Sequence, residues 1–191
     1  MSELTVFLDL GFRHITDAAA LDHLLFLVAL AAIYHGREWA GAIGVVTAFT
    51  VGHSITLALA ATGTVRLPTP WIEFLIPLTI LATGLENLIM VERRAGLADG
   101  RSRAVLAGGF GLVHGAGFAN ALGELFEGSI VRPLLGFNLG IELGQLLVLV
   151  ATGVLLAAVD RVLAPRRRTV MVSAAVTAVA AGMAWERIPW R

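Results

Sequence analysis

The chain has no cysteine and no lysine, and only 15% of its 191 residues are charged. Without cysteine there is no disulfide framework, no thiolate metal ligand and no nucleophilic thiol, and nothing indicates a redox compartment. Without lysine, a mechanism that uses a Schiff base or a lysine nucleophile is excluded. Because the formal net charge is zero, no bulk field attracts nucleic acid, and we expect no nucleic-acid partner.

Apolar residues dominate instead, at 57% of the chain. A soluble domain has about 25% charged residues, so this composition predicts an integral membrane protein in contact with a lipid bilayer. Residues 1–17 lack the basic start and apolar core of a secretory signal peptide. Their apolar positions recur at helical spacing, which predicts a short amphipathic helix at the membrane interface.

Six segments are long and apolar enough to cross a bilayer, which takes about 20 residues of helix. They cover residues 18–35, 40–62, 71–91, 104–126, 133–158 and 169–186. We therefore expect an all-α, polytopic integral membrane bundle of about six transmembrane helices. Residues 18–191 would form its single domain, preceded by the amphipathic helix of residues 1–17.

The arginines are distributed unevenly between the two sides of such a bundle. Loops after the first, third and fifth spans hold nine arginines, and the opposite side holds five. Positive residues favour the cytoplasm, so both termini are expected outside. The nine are Arg37, Arg93, Arg94, Arg101, Arg103, Arg161, Arg166, Arg167 and Arg168, and the five are Arg13, Arg66, Arg132, Arg187 and Arg191.

Ionisable side chains lie at overlapping depth on four of the expected spans. His53 and Glu142 are each on the order of 13 Å from the outer end of their helix, at about 1.5 Å of rise per residue. Asp22, His23 and His114 fall in the same outer-to-middle region. Such groups are costly in hydrocarbon unless they face the bundle interior and find a partner.

Imidazole with carboxylate is a ligand set for divalent zinc, nickel or cobalt. The pattern therefore predicts an intramembrane metal site formed by the five ionisable residues above, with His14 of the amphipathic helix either closing it or remaining solvated. Asn138 and Gln145 share a helix face with Glu142 and would orient ligands, as would Ser54 beside His53.

Simpler interpretations remain open for these residues. The histidines could be interhelical hydrogen-bond partners that only fix the packing of helices. Glu86, nearer the cytoplasm, could be a second site, a step on an exit path, or the partner of an arginine such as Arg93. Glu186 and Arg187 are adjacent and could pair with each other.

Five segments in the same order resemble the HupE/UreJ family of bacterial membrane proteins, in its second, broadly distributed branch. They are "GFRHITDAAALDHLLFLVAL", "TAFTVGHSITLAL", "WIEFLIPLTI", "GLVHGAGFAN" and "FNLGIELGQL". The resemblance covers roughly residues 10–190 and implies a six-helix protein of the bacterial inner membrane. Members encoded near hydrogenase and urease genes are regarded as nickel or cobalt permeases.

The resemblance also implies a ligand set. In those permeases a histidine ahead of an Asp-His pair is tied to metal uptake, and the matching positions here are His14, Asp22 and His23. The nickel branch has a further histidine and an acid after its His-Gly step, where this chain has Gly117 and Asn120.

Three functions are compatible with these observations. The first is a divalent-metal permease of the nickel or cobalt type. The second is a membrane-embedded zinc hydrolase with Asp22 or Glu142 as general base. The third is a metal-free structural or assembly factor. The sequence leaves open which metal is bound and whether the protein is a homo-oligomer.

Overall fold

The computed structural model describes residues 2–18, 20–35, 38–65, 68–92, 100–123 and 130–190, with the backbone alone for residues 119–123. Seven α-helices and no strand occur in this part of the chain, so the predicted all-α class is confirmed. The helices are α1 (Glu3–Thr16), α2 (Leu21–Ala31), α3 (Trp39–Ala61), α4 (Thr69–Glu92), α5 (Gly100–Gly123), α6 (Val131–Val159) and α7 (Pro165–Glu186). Several arginines of the expected topology lie outside the described residues: Arg37, Arg66, Arg93, Arg94 and Arg191.

Four of the helices, α3, α4, α6 and α7, are each long and apolar enough to cross a membrane. α1 and α2 meet the same requirement only together. The expected span over residues 104–126, which begins in α5, extends beyond residue 118, where the described side chains of this helix end. The protein is therefore a multi-pass membrane protein. Four to five of the described helices satisfy both the length and the hydropathy requirement, and the expected total of about six spans stays a prediction.

The expected continuous first span over residues 18–35 needs correction. Its helix, α2, has only 11 residues and is about 16 Å long at 1.5 Å per residue, about half the thickness of the hydrocarbon layer. Asp17 has an extended backbone, and the chain bends by 67° between α1 and α2. Hydropathy alone does not reveal such a bend, because both sides of it are apolar. The interfacial position of residues 1–17 and the domain boundary after them stay predictions.

α1 packs along the first half of α6 through glycines spaced four residues apart. A Cβ atom on Gly136 would overlap the backbone oxygen of Leu4, and one on Gly140 would overlap that of Leu8. Gly144 meets the next turn of α1. Since the paired numbers rise together, the two helices run parallel. Small residues at such positions let helix backbones touch, which is how membrane helices associate closely.

Two further helix pairs complete the bundle. α3 and α5 run parallel, and Gly111 and Gly115 of α5 lie against the backbone of Phe49 and His53. α4 and α7 run antiparallel, with Asn87 donating a hydrogen bond to Ser173 over 3.2 Å. The short helix α2 lies between these pairs, where it contacts α4, α6 and α7 and is largely buried.

We expect Gly140→Ala to lower the free energy of unfolding by about 1–3 kcal/mol, because the added methyl group forces α1 away from α6. Gly109→Ala is the matched control, since a Cβ there meets nothing within 4 Å. In an open helical position alanine is favoured over glycine, so the control should be neutral or stabilising. Thermal unfolding in detergent measures both, and equal melting temperatures would contradict the close α1–α6 contact.

Candidate metal centre

Three histidines from three different helices meet at one place in the bundle. His14 of α1, His23 of α2 and His53 of α3 each offer a ring nitrogen, and these nitrogens lie within 4.8 Å of one another. The ring centroids of His14 and His23 are 4.7 Å apart, and that of His53 lies 6.2 and 6.1 Å from them. His53 is fully buried and His23 nearly so. We refer to these three residues as the histidine cluster.

Four of the six ring nitrogens of the histidine cluster are buried without partners among the described residues. Nε2 of His14, Nε2 of His23 and both ring nitrogens of His53 are buried and accept or donate no hydrogen bond within the described part of the chain. Buried polar atoms in proteins are normally bonded, and leaving one unsatisfied costs about 1–3 kcal/mol. Unpartnered imidazole nitrogens on three converging side chains are the donor set that zinc, nickel and cobalt accept. The residues present therefore fit a divalent transition-metal ion.

The break between α1 and α2 creates this arrangement. His14 lies in the last turn of α1, and His23 lies in the first turn of α2. Because the chain bends by 67° between the two helices, side chains nine positions apart in sequence face each other. A continuous helix would place the same positions about 13 Å apart along its axis.

His114 lies directly beside the cluster. Its ring centroid is 5.2 Å from that of His23, and its Nε2 is 2.9 Å from the hydroxyl of Thr79 on α4. Its Nδ1 is buried with no hydrogen-bond partner among the described residues. The rings of Phe26 and Phe49 pack against His114 at 5.5 and 5.1 Å, so its other neighbours are apolar.

A cavity of about 370 Å³ adjoins these rings. Its ionisable lining residues are His14, Asp22, His23, Glu73, His114 and Arg187. Asp22 forms an ion pair with Arg187, with 3.0 Å between Oδ2 and Nη1. This pair joins the end of α7 to α2 across the bundle, whereas the exposed Glu186 forms no ion pair with Arg187 among the described residues. No local signal reveals this pair, because 165 positions separate its members.

Glu142 lies at a different place from the histidine cluster. Its carboxylate accepts a hydrogen bond from Thr47 over 2.7 Å, and Gln145 accepts one from Thr50 over 2.6 Å. Both bonds join α6 to α3. The structure does not bring Glu142 to the three histidines, because the face of α6 that carries residues 137 and 144 packs on α1, whereas residues 142 and 145 face α3.

The remaining polar residues predicted around the site lie on the same helices. Ser54 donates a hydrogen bond to the backbone oxygen of Thr50 over 2.7 Å, and so bonds within α3. Oδ1 of Asn138 is buried with no partner in the described residues. The side chain of Asn120 lies outside the described residues.

Glu86 forms a fixed ion pair on the expected cytoplasmic side. It lies 3.2 Å from Arg103, whose side chain is only 3% exposed. Both guanidinium NH2 groups of Arg103 also donate to Oδ1 of Asn87 over 3.3 Å. Glu86 therefore pairs with an arginine, as one of the alternatives had it, and this arginine is Arg103. Arg93 lies outside the described residues.

His35 lies outside the histidine cluster. Burial and the guanidinium of Arg168 lower its pKa.

The fold and the cluster define a class: a multi-pass helical membrane protein whose interior holds a histidine cluster that could bind a metal ion. The chain belongs to the HupE/UreJ family. The family model described as "HupE / UreJ protein" matches residues 1–187, essentially the whole chain. Membership in a family linked to metal handling agrees with the donor set. Among curated proteins and solved structures, none matches the chain significantly.

We expect Co²⁺ to raise the melting temperature of the wild-type protein and to leave that of His53→Ala unchanged. An ion held only by the folded state stabilises it by about 2.7 kcal/mol when present at 100 times its Kd. For each protein, the measurement is the difference between the melting temperatures with and without Co²⁺. A loss of packing in the variant lowers both temperatures and therefore does not affect this difference. His35→Ala, outside the cluster, is the control and should shift as the wild type does. An undiminished shift in His53→Ala would contradict the site.

Proposed function

We propose that the protein is a permease for a divalent metal ion of the nickel or cobalt type. One observation carries the proposal: His14, His23 and His53 come from three separate helices and converge with buried, unpartnered nitrogens. In a protein whose helices cross a membrane, an intramembrane group of ionisable residues marks an ion path by default. Family membership supports the same function.

The ion would first reach the cavity of about 370 Å³, where Asp22 and Glu73 supply negative charge. The histidine cluster would then exchange the water ligands of the ion for imidazole nitrogens. His114 adjoins the cluster and would accept the ion next, through its unpartnered Nδ1. On this proposal the metal is the cargo rather than a resident cofactor.

Beyond His114 the described structure is closed towards the expected cytoplasmic side. Phe26 stacks on Phe49 with 4.6 Å between ring centroids, and Phe110 lies edge-on to Phe26 at 6.4 Å. The space that Phe26 and Phe110 line together with the Arg103–Glu86 pair is about 10 Å³, which is no more than one water molecule occupies. Release would therefore need these aromatic rings to separate, as in alternating access.

The chain shows no nucleotide-binding motif, so we propose movement down the gradient or with the membrane potential. That potential supplies about 2.3 kcal/mol per elementary charge per 100 mV, and a divalent ion gains twice this amount. The protein would lie in the bacterial inner membrane with both termini outside, as the arginine distribution predicts.

A membrane-embedded zinc hydrolase is the second candidate, and the three-histidine geometry favours it specifically. Three imidazoles on zinc leave a fourth position for water, and Asp22 would be the nearby base. Retention distinguishes the two functions. Zinc that stays bound in stoichiometric amount through chelator treatment would favour the hydrolase, and rapidly exchanging metal would favour the permease.

We expect wild-type protein in proteoliposomes to take up radioactive nickel, and His23→Ala and His53→Ala to reduce the initial rate by at least about tenfold, a loss of about 1.4 kcal/mol in ion stabilisation. His35→Ala should transport as the wild type does. An inside-negative potential should accelerate uptake by the wild type. Wild-type uptake no greater than that of empty vesicles would refute the permease.

A further inference from the structure

The ion pair between Asp22 and Arg187 lies on the wall of the cavity that leads to the histidine cluster. Both residues line this cavity, and Asp22 is the sequence neighbour of His23. Among the described residues that line the cavity, Arg187 is the one cationic side chain. With neutral imidazoles, the carboxylates of Asp22 and Glu73 and this guanidinium leave one net negative charge in the cavity.

Asp22 is only partly satisfied by Arg187. The guanidinium contacts Oδ2, whereas Oδ1 is buried and has no hydrogen-bond partner within the described chain. A buried carboxylate oxygen without a partner is itself a candidate cation ligand. It is held at the first turn of α2, next to the histidine that contributes to the cluster.

Arg187 is held less firmly than Arg103 and Arg168, the two arginines whose ion pairs are buried in the bundle. Its side chain is 33% exposed and pairs with Asp22 through one nitrogen, whereas Arg103 and Arg168 are 3% and 1% exposed. Partly exposed, single-contact pairs contribute little to stability and exchange readily with solvent. The backbone beside Arg187 is anchored, because Trp190 packs against Trp71 and Phe74 of α4 at 5.6 and 5.9 Å. Arg187 can therefore leave Asp22 by a movement of its side chain alone.

We propose that Arg187 is a displaceable counter-cation for Asp22. It neutralises the carboxylate while no divalent ion is bound, is repelled when the ion arrives, and returns to Asp22 as the ion leaves. Arg187 thereby lowers the affinity of the site and speeds release. It is a positioning residue that acts through Asp22, and this role rests on the proposed permease function.

The test compares nickel binding and uptake by wild-type protein, Arg187→Gln, Arg187→Lys and Arg132→Gln in proteoliposomes. Removing the competing guanidinium in Arg187→Gln should lower Kd and KM by up to about fivefold, the upper range for a partly exposed ion pair. The maximal uptake rate should fall in the same variant, because release becomes slower. Arg187→Lys keeps the charge and should behave as the wild type does.

Arg132→Gln is the matched control, since Arg132 is exposed at the start of α6 and its loss changes the net charge equally. It should leave KM and the maximal rate unchanged. A merely structural role for Arg187 predicts weaker nickel binding in Arg187→Gln instead. In an Asp22→Asn background the Arg187→Gln change should no longer tighten binding, because the carboxylate that the two cations compete for is gone.

A measurement on the wild type keeps the proposal falsifiable if Arg187→Gln does not fold. Nickel should accelerate the reaction of Arg187 with phenylglyoxal, followed by mass spectrometry, and leave the rate at Arg132 unchanged. Two results would overturn the counter-cation role alone, provided that the wild type transports nickel. In the first, nickel leaves the reaction rate of Arg187 with phenylglyoxal unchanged. In the second, folded Arg187→Gln has the same binding and transport kinetics as the wild type. Wild-type protein that neither binds nor transports nickel overturns the proposed function and the counter-cation with it.

Discussion

Buried imidazole nitrogens that face one another without partners are the constraint on which this structure depends. A helix bundle in lipid tolerates polar atoms only where protein, water or an ion satisfies them. Here His14, His23 and His53 direct such atoms to a common point, with an unpartnered oxygen of Asp22 nearby on the cavity wall. Hydrogen bonds that would explain these histidines as packing contacts are missing in the described residues, whereas His114 has one in Thr79.

Glycine contacts hold the helices at the distance this arrangement requires. Along α6, Gly136 and Gly140 bring the backbone of α1 into contact, and Gly111 and Gly115 bring α5 against α3. The contact between α1 and α6 positions His14, and the contact between α3 and α5 positions His53 and His114. The same small residues that give the membrane helices their close association therefore also determine where the ligands lie. A substitution that changes the packing of these helices would therefore also change the distances between the histidines.

The ion pairs that link separate helices fall into two kinds that differ in burial. Arg103 with Glu86 and Arg168 with Asp160 lie on the expected cytoplasmic side, and both arginines are almost fully buried. Breaking a buried pair leaves an uncompensated charge, so separating either of these pairs would be costly. Arg187, on the cavity wall, is partly exposed and singly bonded. On the proposed permease function, the ion would arrive from the side of the partly exposed Arg187 pair.

Composition and hydropathy were sufficient to predict a helical, multi-pass membrane protein, and the residue types pointed to imidazole as the candidate ligand, because both inferences depend on local residue type. The hydropathy of residues 18–35 did not predict the bend before α2, since apolar residues lie on both sides of it. Nor did spacing show that Glu142 faces α3, or that Arg187 meets Asp22 from 165 positions away. Only the tertiary structure decided which three histidines lie together, because helix rotation and the pairing of distant helices follow from contacts that no local pattern encodes.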